Sequence, residues 1–227
     1  MTRLFLFLIL AAAIPAETPR GFPFEEGETL RYQVKLPEGG QIGDATFTAR
    51  RLPGTAAMWE LVFELDASVP GFEAKDRFRS LIHRYCSLEF EKESVHGRRK
   101  VSESTVFDPD SRAARRTTKG GGGTSEIALG GCGRDALAFL YFTRKELGQG
   151  RVAPAETVVF GAGYQVRLRY TGEETVQGKT ADRVDVTAKG PASEHAISIA
   201  FARDAARTPL LIRVPLPGGT FTMELAE

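Results

Sequence analysis

Hydrophobic and polar residues alternate along most of this chain from Glu28 onward. The first alternating run covers residues 30–36, and similar runs recur over 59–65, 164–170 and 197–201. A period of two residues is typical of a β-strand with one buried face and one solvated face. Clusters of Pro, Gly and Asp separate the runs, which favours an antiparallel meander, a barrel or a sandwich.

One segment, residues 135–148, breaks this alternation and predicts a helix. Asp135 is a good N-cap because its carboxylate can accept the free amides of the first turn. Gly148 lies where a left-handed residue would close the helix. Residues 136–142 are apolar without interruption, so we expect burial on most sides. The predicted fold class is all-β and mainly antiparallel: a strongly curved sheet, half-barrel or barrel, with one buried α-helix near 135–147.

The start of the chain has the layout of a cleaved secretory signal. Arg3 supplies a positive charge, residues 4–14 are apolar, and small residues lead to a cut near Ala16. The apolar run is about half of the roughly 20 residues that a membrane-spanning helix needs. We therefore expect residues 1–16 to be a signal peptide and 17–227 to be a single β-rich domain. That domain would be exported, periplasmic or secreted, and not membrane-spanning.

The exported part of the chain is electrically neutral. Without Arg3, the 30 basic residues become 29, which equals the 29 acidic ones. A neutral chain has no general attraction to nucleic acid, so we expect no nucleic-acid partner. Cys86 and Cys132 are the two cysteines, and an oxidising compartment favours a disulfide between them, with two buried free thiols as the alternative. Their spacing predicts no metal site, and no cofactor is expected.

The sequence contains no recognised catalytic motif. His83, His96 and His195 lie beside no nucleophile in a known pattern, and neither G-x-S-x-G nor H-E-x-x-H occurs. Asp204 and Arg207 bracket a turn, and an ion pair between them would pin it. We predict no catalytic residues and a protein that is not an enzyme. A hydrolase is the least favoured of the three functions that we consider.

A set of spaced residues spans nearly the whole of the expected mature chain. Its members are Gly27, Glu28, Leu30, Tyr32, Phe107, Asp108, Asp135, Leu137, Leu140, Tyr141, Arg144, Gly150, Gly172, Asp204, Arg207 and Pro209. In this order and spacing they resemble the exported bacterial proteins grouped as domain of unknown function 3108. The resemblance implies a secreted or periplasmic β-rich protein and transfers no catalytic residue. A looser likeness to periplasmic carriers and outer-membrane receptors of lipoproteins, which are open half-barrels, is an analogy of fold.

The aromatic content suits either a packed core or a ligand cavity. The chain has 15 Phe, 5 Tyr and 1 Trp, and most must be buried. If the sheet does not close completely, some would line an apolar cavity instead: Tyr32, Phe47, Trp59, Phe63, Phe139 and Tyr141. We expect a binding or assembly factor for an apolar or amphiphilic envelope component, such as lipid or lipoprotein acyl chains, with the helix gating access. The alternative is a structural or scaffolding protein that contacts an envelope protein partner.

Overall fold

A single sheet of 15 strands accounts for most of the structure, a computed structural model that describes residues 24–54, 57–216 and 219–226. The predicted signal peptide, residues 1–16, lies outside the described residues. Everything described after it belongs to this sheet, to one helix, or to the turns that connect them.

The strands follow one another along the chain in two series on either side of the helix. The first series is β1 (Glu28–Lys35), β2 (Gln41–Arg51), β3 (Met58–Val69), β4 (Phe72–His83), β5 (Cys86–His96), β6 (Arg99–Asp108), β7 (Ala113–Thr118) and β8 (Thr124–Ala128). The short strand β9 (Arg134–Asp135) leads directly into the helix α1 (Ala136–Gly148). The second series is β10 (Glu156–Val159), β11 (Gly163–Val176), β12 (Lys179–Lys189), β13 (Glu194–Ala202), β14 (Pro209–Leu216) and β15 (Gly219–Leu225).

Strands that are consecutive in the chain pair with each other almost throughout. β1 to β8 form one antiparallel meander and β10 to β15 form another. The two meanders join where β1 pairs with β15, with Tyr32 opposite Leu225. β9 pairs with β10 in parallel. β8 and β9 are the two ends of the sheet, so the sheet is open, and the predicted all-β, mainly antiparallel fold is confirmed.

The sheet curls until its two ends approach each other. Gly163, at the start of β11, lies so close to β8 that a Cβ placed there would be 2.8 Å from Ile127 Cγ2. On β7, Arg116 Nη1 donates to the carbonyl oxygen of Gly161 at 2.6 Å. We define this meeting of residues 160–163 with the opposite end of the sheet as the seam. Side-chain contacts hold it where no strand pairing does.

The helix lies inside the curl and is buried from two sides. Tyr141 belongs to the main core, together with residues of β1 to β7 and β12 to β14. Phe139, on another side of the helix, packs with Val158 of β10 and Val166 of β11 in a smaller cluster. The unbroken apolar run over 136–142 is what allows both sides to be buried. The predicted buried helix is confirmed.

Asp135 begins the helix, as its position predicts. Its Oδ1 accepts the backbone amides of Leu137 and Ala138 at 2.8 and 3.0 Å. Its Oδ2 accepts the hydroxyls of Ser80 and Ser87 at 2.5 and 2.6 Å. Burial raises the pKa of the Asp135 carboxyl, while the hydrogen bonds from these four donors lower it and so limit the rise. The helix N-terminus is thereby tied to both β4 and β5.

The end of the helix differs from the sequence prediction. Gly148 is the last helical residue, whereas Gly150 adopts the left-handed conformation, with φ of +72°. The prediction that Gly148 closes the helix is therefore wrong. Leu147 is buried in the main core, so the helix continues through the turn that buries this side chain. The next glycine then supplies the positive φ.

Arg144 anchors the C-terminal half of the helix to β1. Its Nη1 and Nη2 donate to the two carboxylate oxygens of Glu28 at 2.7 and 2.6 Å, and its Nε donates to the carbonyl oxygen of Ala206 at 2.9 Å. Only 1% of the Arg144 side chain is exposed. Burial alone would lower the pKa of Arg144, but the hydrogen bonds and charge of Glu28 raise it. This bidentate pair fixes orientation as well as position.

The turn that receives Arg144 is held by other contacts than the predicted ion pair. Asp204 accepts the backbone amide and the hydroxyl of Thr208 at 3.0 and 2.8 Å. Arg207 instead donates to Asp182 of β12 at 2.8 Å. The predicted Asp204–Arg207 ion pair is wrong because a carboxylate from a strand remote in sequence lies within reach of the arginine.

The two cysteines lie at disulfide distance. Cys86 is the first residue of β5, Cys132 precedes β9, and their Sγ atoms are 2.05 Å apart. This supports the predicted Cys86–Cys132 pairing. A bond here would tie β5 to the segment that enters the helix, next to Ser87, which already binds Asp135.

We expect the Cys86→Ser/Cys132→Ser double variant to be less stable than the oxidised protein by about 4 kcal/mol. The bond would close a loop with a sequence separation of 46 residues, and a loop of this length restricts the unfolded chain by about that amount. Urea unfolding of protein purified without reductant measures the difference. Reduced wild-type protein should match the variant. Equal stability of the variant and the untreated wild type would contradict the bond.

We expect Glu28→Gln to lower the free energy of unfolding by about 3–5 kcal/mol, because it leaves the buried Arg144 guanidinium without a charged partner. Glu26→Gln is the matched control. Its partner Arg51 is 48% exposed, and surface pairs contribute at most about 1 kcal/mol. Urea unfolding followed by near-UV circular dichroism compares the two. Equal losses would show that the buried pair does not hold the helix.

Candidate functional site

The six aromatic side chains that we predicted to line a cavity are all buried, with 1% to 6% of each exposed. They are Tyr32, Phe47, Trp59, Phe63, Phe139 and Tyr141. Five belong to the main core, and Phe139 belongs to the smaller cluster. The rings of Tyr32 and Phe47 lie 5.5 Å apart, and those of Phe47 and Phe63 lie 4.6 Å apart. These rings pack against one another, and their role in a ligand cavity stays a prediction.

A row of aromatic rings continues from this core to the seam. The Phe63 and Phe78 ring centroids are 5.4 Å apart. Phe160 then contacts Phe78 edge-on at 5.0 Å and Phe90 at 6.0 Å. Phe160 comes from the turn between β10 and β11, so the row joins the second series of strands to the first. No local pattern distinguishes it in the sequence, because its partners lie some 70 to 80 residues earlier in the chain.

Part of the concave face keeps accessible apolar surface. Leu168, Val186 and Ile197 are cross-strand neighbours on β11, β12 and β13, and Val214 of β14 belongs to the same partly buried set at the border of the main core. We define these four residues as the apolar band. The helix packs chiefly against β3, β4, β9 and β10, although Leu168 and Val186 also pack against the cluster that contains Phe139. An alternating sequence pattern predicts which face of the sheet such residues occupy, but it does not predict how deeply they are buried.

Charged side chains of β5 to β7 face the interior at the seam. Besides its bond to Gly161, Arg116 Nη1 donates to Glu103 Oε1 at 3.2 Å. Lys92 Nζ lies 4.3 Å from the centre of the Phe160 ring, and burial lowers the pKa of Lys92. Among the described residues, Glu103 Oε2 and Arg116 Nε are buried without a hydrogen-bond partner. The concave face thus combines apolar surface with free polar atoms.

The three histidines lie at separate, exposed positions. His96 Nε2 is 3.0 Å from Asp76 Oδ1, and His195 Nε2 is 3.1 Å from Ser193 Oγ. His83 ends β4 and is exposed. A serine hydrolase needs a third group that orients the histidine. The described contacts of His195 include no carboxylate that could do so.

The described residues contain neither a metal-ligating cluster nor a membrane-spanning helix. No group of three or more His, Cys, Asp or Glu side chains there is placed to hold a metal ion. No described helix has both the length and the apolar character needed to cross a membrane. A cavity of about 170 Å³ lies beside Cys86 and Cys132. It is smaller than the about 300–1,000 Å³ of typical ligand pockets.

Residues that carry the family resemblance meet around the helix. Glu28 binds Arg144, and Asp135 caps the helix N-terminus. The Tyr32 hydroxyl donates to the carbonyl oxygen of Pro209 at 2.7 Å. These contacts link β1, the helix and the start of β14. Several of the residues that carry the family resemblance therefore anchor the helix, and no residue of the apolar band is among them.

Comparison with known proteins agrees with this picture. The family of proteins of unknown function DUF3108 matches residues 31–226. A crystal structure of a β-barrel-like protein of domain of unknown function DUF1849 from Brucella abortus is similar, with a TM-score of 0.60 and 7% identity over 88% of this chain and 95% of that one. At this identity the likeness shows the fold alone. No curated protein matches the sequence. Since the family match covers most of the chain, this protein belongs to the DUF3108 family.

Proposed function

We propose that this protein is an exported, non-enzymatic binding or assembly factor for an apolar or amphiphilic envelope component. The observation that supports this function is the accessible apolar band on the concave face of an open sheet. An acyl chain is the simplest ligand for such a surface, because it has no polar group to satisfy.

Burial of the CH₂ groups of an acyl chain would be the source of affinity at the apolar band. Each buried CH₂ group contributes about 0.8 kcal/mol, so about ten would contribute about 8 kcal/mol. That corresponds to a dissociation constant of about 1 μM before the costs of ordering the ligand. Glu103 Oε2 and Arg116 Nε are buried without a hydrogen-bond partner among the described residues, so a polar headgroup would reach them only when the seam opens.

The seam is the part of the sheet best suited to admit a ligand. β8 and β9 are the two ends of the sheet and are not paired with each other. Opening the seam separates side-chain contacts such as the Arg116–Gly161 bond, whereas opening the sheet elsewhere breaks a ladder of backbone hydrogen bonds. Our expectation that the helix gates access is less well supported, since Asp135 and Arg144 anchor both halves of the helix.

The substitution Val186→Glu tests the apolar band. We expect it to weaken binding of a fluorescent fatty acid at least tenfold, because it places a charge where the acyl chain would lie. Val106→Glu is the matched control, since Val106 is 56% exposed on the outer face of β6. Equilibrium fluorescence titration gives both dissociation constants.

Circular dichroism should first show that both variants are folded. The milder Val186→Thr, which keeps the shape of the side chain, should give an intermediate loss. Equal affinities in the wild type, Val186→Glu and Val106→Glu would contradict the proposal, as would a wild type that does not bind the probe.

A scaffolding role is the second candidate, and one feature favours it. β8 ends the sheet and has a strand partner on one side only, so its outer edge could receive a strand of another protein. A protein that binds no acyl chain and retains an envelope protein in a pull-down would favour this candidate.

A further inference from the structure

A second concave feature lies across β11 to β14, the strands that also carry the apolar band. Beyond a β-bulge in β11, Glu174 accepts two hydrogen bonds at 2.8 Å from Arg213 of β14, three strands away. Gln177 Nε2 donates to the carbonyl oxygen of Leu225 at 2.8 Å. The end of the β11–β12 hairpin therefore folds back over the outer face. A groove of about 730 Å³ lies here, and its lining includes Leu168, Val186 and Ile197 of the apolar band besides residues of the outer face.

Arginine side chains from three strands line this groove. Arg167 and Arg169 come from β11, Arg183 from β12 and Arg213 from β14. Successive residues of a strand point to opposite faces. Because Leu168 belongs to the concave apolar band, its two neighbours Arg167 and Arg169 lie on the outer face. We define the four arginines and the space between them as the arginine groove.

The acidic residues of the arginine groove neutralise only part of its charge. Asp185 lies 3.4 Å from both Arg169 and Arg183. The second carboxylate, that of Glu174, forms an ion pair with Arg213. Arg167 is exposed and has no ion pair within the described part of the chain. Four guanidinium groups against two carboxylates leave an excess of two positive charges in a concave site.

We propose that the arginine groove binds phosphate groups, carried either by a small molecule or by a lipid headgroup. Guanidinium groups donate two parallel hydrogen bonds to phosphate oxygens, and arginine is the residue best suited to this recognition. The hydroxyls of Thr187 and Ser198 in the same groove add neutral donors. A volume of about 730 Å³ lies within the range typical of small-molecule sites. The proposed ligand belongs to a different chemical class from the acyl chain proposed above, although the lining of the groove shares Leu168, Val186 and Ile197 with the apolar band.

Isothermal titration calorimetry with inorganic pyrophosphate at low ionic strength tests the groove. We expect one site per chain, and at least a tenfold loss of affinity in Arg167→Gln/Arg169→Gln. The matched control is Arg98→Gln/Arg99→Gln, which removes the same charge from two exposed residues near the β5–β6 turn. A wild type that does not bind pyrophosphate, or equal losses in the two double variants, would overturn the proposal.

A second pair of variants changes the charge in the other direction. Asp185→Asn should tighten pyrophosphate binding at least threefold, because it releases Arg169 and Arg183. Glu126→Gln makes the same change in net charge at an exposed residue of β8 and should leave affinity unchanged. Equal tightening by both would overturn a specific groove and indicate a response to net charge. Circular dichroism confirms that each variant is folded.

Competition with vesicles separates the two sources of phosphate. Phosphatidylglycerol vesicles that displace pyrophosphate from the wild type, but do not bind Arg167→Gln/Arg169→Gln, would support the groove with a lipid headgroup as ligand. Pyrophosphate binding that the vesicles leave unchanged would support the groove with a soluble phosphorylated compound.

Discussion

A buried positive charge sets the main constraint on this structure. Removing an arginine from water costs several kcal/mol. Hydrogen bonds from the Arg144 guanidinium to both carboxylate oxygens of Glu28 and to the carbonyl oxygen of Ala206 offset this cost. These partners come from β1 and from the turn before β14, which are far apart in the chain. The sheet must curl around the helix to bring them together. The Tyr32–Pro209 hydrogen bond ties the same two regions.

The features of the fold that depend on neighbouring residues could be predicted from the sequence. Alternation marked the strands, and Asp135 marked the start of the helix, because its capping bonds reach only two and three residues ahead. The helix end depends on the burial of Leu147, and the partner of Arg207 is Asp182 on another strand. Both features depend on contacts between residues far apart in the chain, and a local sequence pattern carries no information about such contacts.

The candidate site was harder to predict for the same reason. Tyr32 and Phe47, predicted to line a cavity if the sheet stays open, are both buried in the main core, and their role in a cavity stays a prediction. The smaller side chains of Leu168 and Val186 stay partly accessible. The curl brings the residues of the seam together, and the pairing of neighbouring strands brings those of the arginine groove together, so both follow from the architecture.

The protein is an open sheet held curled around a fixed helix, and we propose that its concave apolar surface binds a ligand. Native mass spectrometry of the protein, purified from an envelope extract without detergent, tests this most directly. We predict a species heavier than the chain by the mass of one acyl-chain compound, which organic extraction should remove. A single species at the mass of the chain alone, unchanged by extraction and by added fatty acid, would contradict the account.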